Sequence, residues 1–176
     1  MKFTRPLRLL LCPLIFMLLA LALPSQASII NLTADIDAAQ ANAGNGTVGS
    51  MGTGVGTMMF DDVTNMFSWD VSWSNLAGTV TVAHFHGPAM PNQNAGVQLA
   101  MAIVFDTSTG SAIITAPQAA DLLTGLWYIN IHSDFAPGGE IRGRVLTAPV
   151  IGVSVPGTLA LVLLSMIGLF NSRKKA

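Results

Sequence analysis

The chain predicts an all-β protein: a single antiparallel β-sandwich or barrel-like domain over residues 28–149, flanked by two apolar terminal segments. Three observations carry this expectation. Short stretches rich in β-branched and aromatic residues recur between clusters of Gly, Asn and Pro, the punctuation of strands and turns. One stretch alternates along its whole length, with Phe67, Trp69, Val71 and Trp73 set against Ser68, Asp70, Ser72 and Ser74. That pattern gives one buried and one wetted face, as an antiparallel sheet requires. The segment of about 122 residues is also the usual size of one domain.

The elements follow in order. Strands are expected at Ile29–Asp37, Gly54–Asp61, Met66–Trp73, Thr79–His86, Val97–Phe105, Ser111–Thr115, Leu126–His132 and Ile141–Leu146. One short helix fits Ala116–Thr124, with Thr115 and Gln118 forming a capping box and Gly125 taking the left-handed stop. Residues 41–56, rich in Gly, Asn, Ala and Thr, are expected to be an exposed loop running into a strand. Their Gly-x-Gly pieces lack a following helix or a Lys-Ser/Thr pair, so they do not read as a phosphate-binding loop. The Asn-x-Thr patterns at Asn31 and Asn45 are too short to carry weight.

The two ends read as addresses. Residues 1–27 have the layout of a secretory signal. Lys2, Arg5 and Arg8 precede an apolar run from Leu9 to Leu23, and the small residues Ser25 and Ala27 stand at −3 and −1 before Ser28. Cys12, the single cysteine, follows bulky Leu11 inside the apolar run and does not fit lipid attachment, so the mature domain holds no disulfide. Residues 150–176 form a second apolar segment, Val150 to Phe170, closed by Arg173, Lys174 and Lys175. The length suits a membrane span, and a basic end of this kind stays on the cytoplasmic side. The run Val155-Pro156-Gly157-Thr158-Leu159, the apolar stretch and the basic end resemble the PEP-CTERM sorting tails of bacteria. Those tails imply recognition and removal by an exosortase-type enzyme. The Pro-Glu-Pro signature is here reduced to Val-Pro-Gly, and a permanent single-span anchor is the alternative. The expected localisation is therefore export across the cytoplasmic membrane, followed by anchoring or release at the cell surface.

Charge sorts the same way. Eight Lys+Arg against nine Asp+Glu give a formal −1. Residues 28–149, however, hold only Arg142 and Arg144 beside all nine acids, a net −7. Such a domain repels phosphate, which excludes a nucleic-acid partner.

The domain contains no Lys, one Tyr and one Glu, and its three histidines fall in two short segments. These are Val82-Ala83-His84-Phe85-His86-Gly87-Pro88-Ala89 and Tyr128-Ile129-Asn130-Ile131-His132-Ser133. The second continues through Pro137-Gly138-Gly139-Glu140-Ile141-Arg142-Gly143. In this order the two segments resemble the CHRD domain, named from chordin and common in exported bacterial proteins, and the likeness covers roughly Asn31 to Leu146. The resemblance implies a compact β-sandwich-like domain and an extracellular binding protein, without a defined activity. It marks Gly87, Pro88, Asn130, Gly139, Glu140, Arg142 and Gly143 as signature positions for binding or structure.

On a strand, His84 and His86 project from one face, and His132 shares its face with Tyr128 and Asn130. If the strands are neighbours, three imidazoles converge on a candidate Zn or Cu site with an open fourth position. The other reading is that they bond to each other, to Glu140 and to loop backbone. Arg142 and Arg144 share a face of the last strand. They are expected to pair with carboxylates such as Asp134, Glu140 or Asp70; the alternative is an anchor for an anionic group on a partner or glycan.

Covalent and hydrolytic chemistry is poorly served. No Gly-x-Ser-x-Gly elbow occurs, Ser133 points away from the His132 face, and Asp61 and Asp62 are adjacent in a turn, as solvated charges or weak Ca²⁺ ligands. The expectation is a non-enzymatic envelope protein, catalytic residues none, that binds an extracellular protein or polysaccharide and meets the membrane through its C-terminal segment. The alternative is a metal-binding protein or metal-dependent enzyme using His84, His86 and His132.

Overall fold

A computed structural model describes residues 28–149. The expected signal, residues 1–27, and the apolar tail, residues 150–176, lie outside them. Among the described residues no helix is long and apolar enough to cross a membrane.

The architecture is all-β. The strands are β1 (Ile29–Asp37), β2 (Thr53–Asp61), β3 (Met66–Ser74), β4 (Val80–His86), β5 (Val97–Met101), β6 (Thr107–Ile113), β7 (Tyr128–Ser133), β8 (Ile141–Arg144) and β9 (Leu146–Thr147), with a distorted four-residue helical turn at Ala41–Gly44 between β1 and β2 and an eight-residue helix, α1 (Ala116–Leu123), before β7. All pairings are antiparallel, in the order β5-β4-β7-β8-β1-β2-β3-β6, with β9 on β1. The β1–β2 and β2–β3 ladders each run the length of their strands. Between β8 and β1 there is one paired position, Asp37 with Arg142. The chain then leaves β7 and rejoins β1 two residues on, where Leu146 and Thr147 pair with Thr33 and Leu32. This terminal segment is therefore the corner at which the sheet turns over on itself, as in sandwiches whose strands switch sheets at a bend.

The fold-over is visible in the core. Phe67 and Trp69 of β3 meet Phe85 of β4 edge-on, at ring separations of 5.1 and 5.4 Å, and Trp127 joins them 5.7 Å from Phe67. These residues come from strands far apart in the sheet order, so the two halves enclose one core, to which Leu32, Ile36, Phe60, Ile129, Ile131 and Ile141 also contribute. Edge-to-face packing of this kind suits the aromatic quadrupole. The expected alternation in β3 holds, its four apolar residues buried and facing inward.

Most boundaries shift by no more than one or two residues, the strand expected at Ile141–Leu146 is split into β8 and β9, and two boundaries differ by four residues. The strand expected over Val97–Phe105 stops at Met101, because Val104 and Thr107 close a tight turn by reciprocal backbone bonds of 2.9 and 3.1 Å. Phe105 in that turn has a φ of 54° and is 92 % exposed. The next strand then begins at Thr107, four residues earlier than expected, with the polar run Thr107-Ser108-Thr109-Gly110 paired to β3. A strand without apolar alternation gives no periodic signal; here Ser108 is buried to accept from Trp69 Nε1 at 3.1 Å, and Gly110 leaves room for the same indole. The helix has both halves of the expected capping box, and Gly125 follows it with a φ of 73°.

Candidate metal centre

The outer face of β4, β7 and β8 carries the site. The β4–β7 ladder sets His84 opposite Asn130, His86 opposite Tyr128 and Val82 opposite His132, so all three histidines stand on one face. One ring nitrogen from each lies within 4.8 Å of the others, and the ring centres are 5.4 to 6.0 Å apart. The point equidistant from three atoms at that spacing is about 2.8 Å from each, so small ring rotations reach the roughly 2.0–2.1 Å of a metal–imidazole bond.

Hydrogen bonding fixes two of the tautomers. His86 Nδ1 is 2.9 Å from the Ala95 carbonyl, and His132 Nδ1 is 2.8 Å from the Pro137 carbonyl. A carbonyl only accepts, so Nδ1 carries the proton in both rings and Nε2 presents its lone pair. Backbone carbonyls holding the far nitrogen are the usual support of metal-ligating histidine. His86 Nε2 and His84 Nδ1 are buried with no hydrogen-bond partner among the described residues, and Asn130 Nδ2 approaches His132 Nε2 at 3.3 Å. Orphaned buried nitrogens are unfavourable until something fills them. Burial, with a smaller contribution from neighbouring positive charge, lowers the pKa of His84 and His86 below the ordinary value, which keeps both rings neutral and able to ligate. Among the described residues these three are the whole ligand set, leaving the fourth position open.

The loop between β4 and β5 roofs this face. Arg142 donates to Gln93 O at 2.8 Å and Asn94 Oδ1 at 3.2 Å, Arg144 donates to Ala89 O at 3.2 Å and to Gly125 O, and Tyr128 Oη accepts from Ala95 N at 3.1 Å. Gly87 and Pro88 open the loop, Gly87 O accepting from Gln98 Nε2 at 2.5 Å. Tyr128 is sandwiched: His86 stacks on it at 5.1 Å and 10°, and the Arg142 guanidinium sits 3.5 Å from its ring centre.

This corrects the expected carboxylate pairing. Neither Arg142 nor Arg144 is held by Asp134, Glu140 or Asp70; their partners are carbonyls and one amide. Asp134 instead accepts from Thr79 N at 2.8 Å. Glu140 also does not touch the histidines. It is fully buried and accepts from Ser50 Oγ at 2.6 Å, Ala77 N at 2.5 Å, Gly78 N at 3.3 Å and Ser133 Oγ. Burial alone would raise its pKa, but these four donors outweigh it and hold the carboxyl below its ordinary value. Glu140 therefore ties three loops to the end of β7.

The remaining signature residues serve close approach. A side chain on Gly139, at a φ of 120°, would strike the Asn130 amide, which reaches over to the Gly138 carbonyl at 3.1 Å. A Cβ on Gly143 would come within 2.5 Å of the Asp35 carbonyl at the β8–β1 seam. Asp61, the last residue of β2, accepts from Val63 N and Thr64 N and so caps the turn that begins at Asp62, which accepts from Ser28 N. The sequence pattern could not identify the supporting groups, the carbonyls of Ala95 and Pro137 and the side chain of Asn94, because they come from irregular loops.

The family model described as the CHRD domain matches residues 32–145. No curated protein and no solved structure matches the chain.

Proposed function

The chain belongs to the CHRD domain family, and from that premise we propose that it is an exported binding domain whose working centre is the three-histidine face, loaded with Zn²⁺ or Cu²⁺. The observation that carries this reading is the convergence of His84, His86 and His132, with two buried ring nitrogens left without a partner. Three imidazoles and an open position suit a borderline cation that keeps one site for an outside ligand. Display outside the cytoplasmic membrane is supported by the signal-like residues 1–27 and the apolar, basic-ended residues 150–176, held as an anchor or removed by an exosortase-type enzyme.

Elemental analysis of the full chain, purified without an affinity tag, tests the centre. The expected result is about one Zn or Cu per chain, lost in His84→Ala and in His132→Ala while the β-sheet circular dichroism persists. Failure to retain either metal after loading, or equal uptake by both variants, sinks the reading. Intact mass and protease accessibility in cells test the topology, and a domain protected in the cytoplasm rules out export.

A further inference from the structure

Beside the histidine face lies a cleft of about 460 Å³, lined by Thr47 and Val48 of the β1–β2 loop, Gly138 and Gly139 of the β7–β8 turn, and Asn94 and Arg142. We propose that this cleft binds a single carboxylate group of an extracellular ligand, with Arg142 as the charged contact.

Arg142 is 3 % exposed, yet it reaches the cleft. A cation so deeply placed ordinarily has a carboxylate within reach. Asp37 stands opposite Arg142 in the ladder, but its carboxylate accepts from Gln40 N and Nε2 at 2.8 and 2.9 Å, and the guanidinium bonds Gln93 and Asn94 instead. The groups in direct contact with the guanidinium are neutral: the Gln93 carbonyl, the Asn94 amide and the Tyr128 ring. These hold its plane in place without cancelling its charge. Two of its five N–H groups are used in this way, so three have no acceptor among the described residues. The geometry is a fixed guanidinium fork at a cleft wall, the arrangement that receives a carboxylate in bidentate fashion.

Charge elsewhere sets the class of ligand. Arg142 and Arg144 are the only cations in residues 28–149, against nine acids, and Arg144 is committed to the carbonyls of Ala89 and Gly125. A densely charged polyanion meets repulsion over most of the surface, whereas an isolated carboxylate meets one local positive site. The cleft also shares Asn130 and Pro137 with the supports of His132, so a carboxylate held there lies beside the three imidazoles. The assignment does not depend on a metal being bound.

Calorimetric titration of the metal-free full chain in detergent tests it, with sodium acetate, sodium D-glucuronate and neutral D-glucose as probes at constant ionic strength. Saturable binding of the two carboxylates, weakened by added salt and missing for glucose, is the expected result. Equal affinity for acetate and glucuronate means that the carboxylate alone is read; tighter glucuronate binding means that a sugar ring adds contacts. Val48, which lines the cleft and is 93 % exposed, allows a variant that leaves the fold alone. Val48→Asp is expected to weaken binding at least tenfold and Val48→Asn to leave it near wild type, while Arg142→Gln abolishes it. No saturable binding of either carboxylate, or wild-type affinity in Val48→Asp, overturns the proposal. Because the protein is metal-free, a failure here leaves the histidine centre standing, and the reverse also holds.

Discussion

The two halves of the sheet share one core but treat their outer faces in opposite ways. On β2 the residues alternate between buried and open along the strand, and the outward side chains Thr53, Val55, Thr57 and Met59 face solvent. On β7 five of six residues are buried, and β8 buries three of four. Alternation fails there because a second layer, the β4–β5 loop strapped down by Arg142, Arg144 and Tyr128, covers the outer face. A bare outer face needs only to be wettable. A roofed one must satisfy every polar group it buries, and that is where the histidines, Asn130, Tyr128 and Arg142 are gathered.

The largest expected effect tests whether the halves are one cooperative unit. Trp127→Ala removes the ring that bridges β3 and β4, and a loss of about 3–5 kcal/mol is expected on denaturant unfolding. Loss of structure in one half alone, read by hydrogen exchange, would break the comparison at its premise. Glu140→Ala is next, at roughly 3 kcal/mol, since it strips a buried charged acceptor from four donors. It also predicts the acid limb. The folded carboxyl titrates below its unfolded value, so its stabilisation is complete above about pH 4.3 and is lost as pH falls further. The wild type should lose stability there, and Glu140→Ala should show a shallower slope in pH-dependent melts.

Smaller changes set face against face. Tyr128→Phe deletes one hydroxyl from the roofed side, and a cost of about 1 kcal/mol is expected from the bond to Ala95 N. Thr57→Ala changes the bare side and should stay within about 0.5 kcal/mol of wild type. Equal effects in thermal melts would mean that the loop roof contributes nothing to stability.

The sequence made the bare half and the core readable, because period-two alternation in β1 to β3 is a direct consequence of one wet and one dry face. The capping box at Thr115 was readable for the same kind of reason, being local chemistry at fixed spacing. The convergence of His84, His86 and His132 followed from strand periodicity once their strands were neighbours, and the β4–β7 ladder supplies that adjacency. The partners of Arg142 and Glu140 were not readable. Charge counting pairs a cation with an acid, but here each charged group is satisfied by neutral donors or acceptors from loops distant in the chain.

The pairing of β9 with β1 has a directional consequence. Ala148 N donates to Asn31 O at 2.8 Å, so the chain enters and leaves the domain side by side. The cleft lined by Thr47, Val48 and Gly139 lies past the opposite end of β1, nine residues or roughly 27 Å away. A load applied through either terminus therefore grips the domain by its base. Held in that way, the protein stands with its cleft pointing away from whatever holds it.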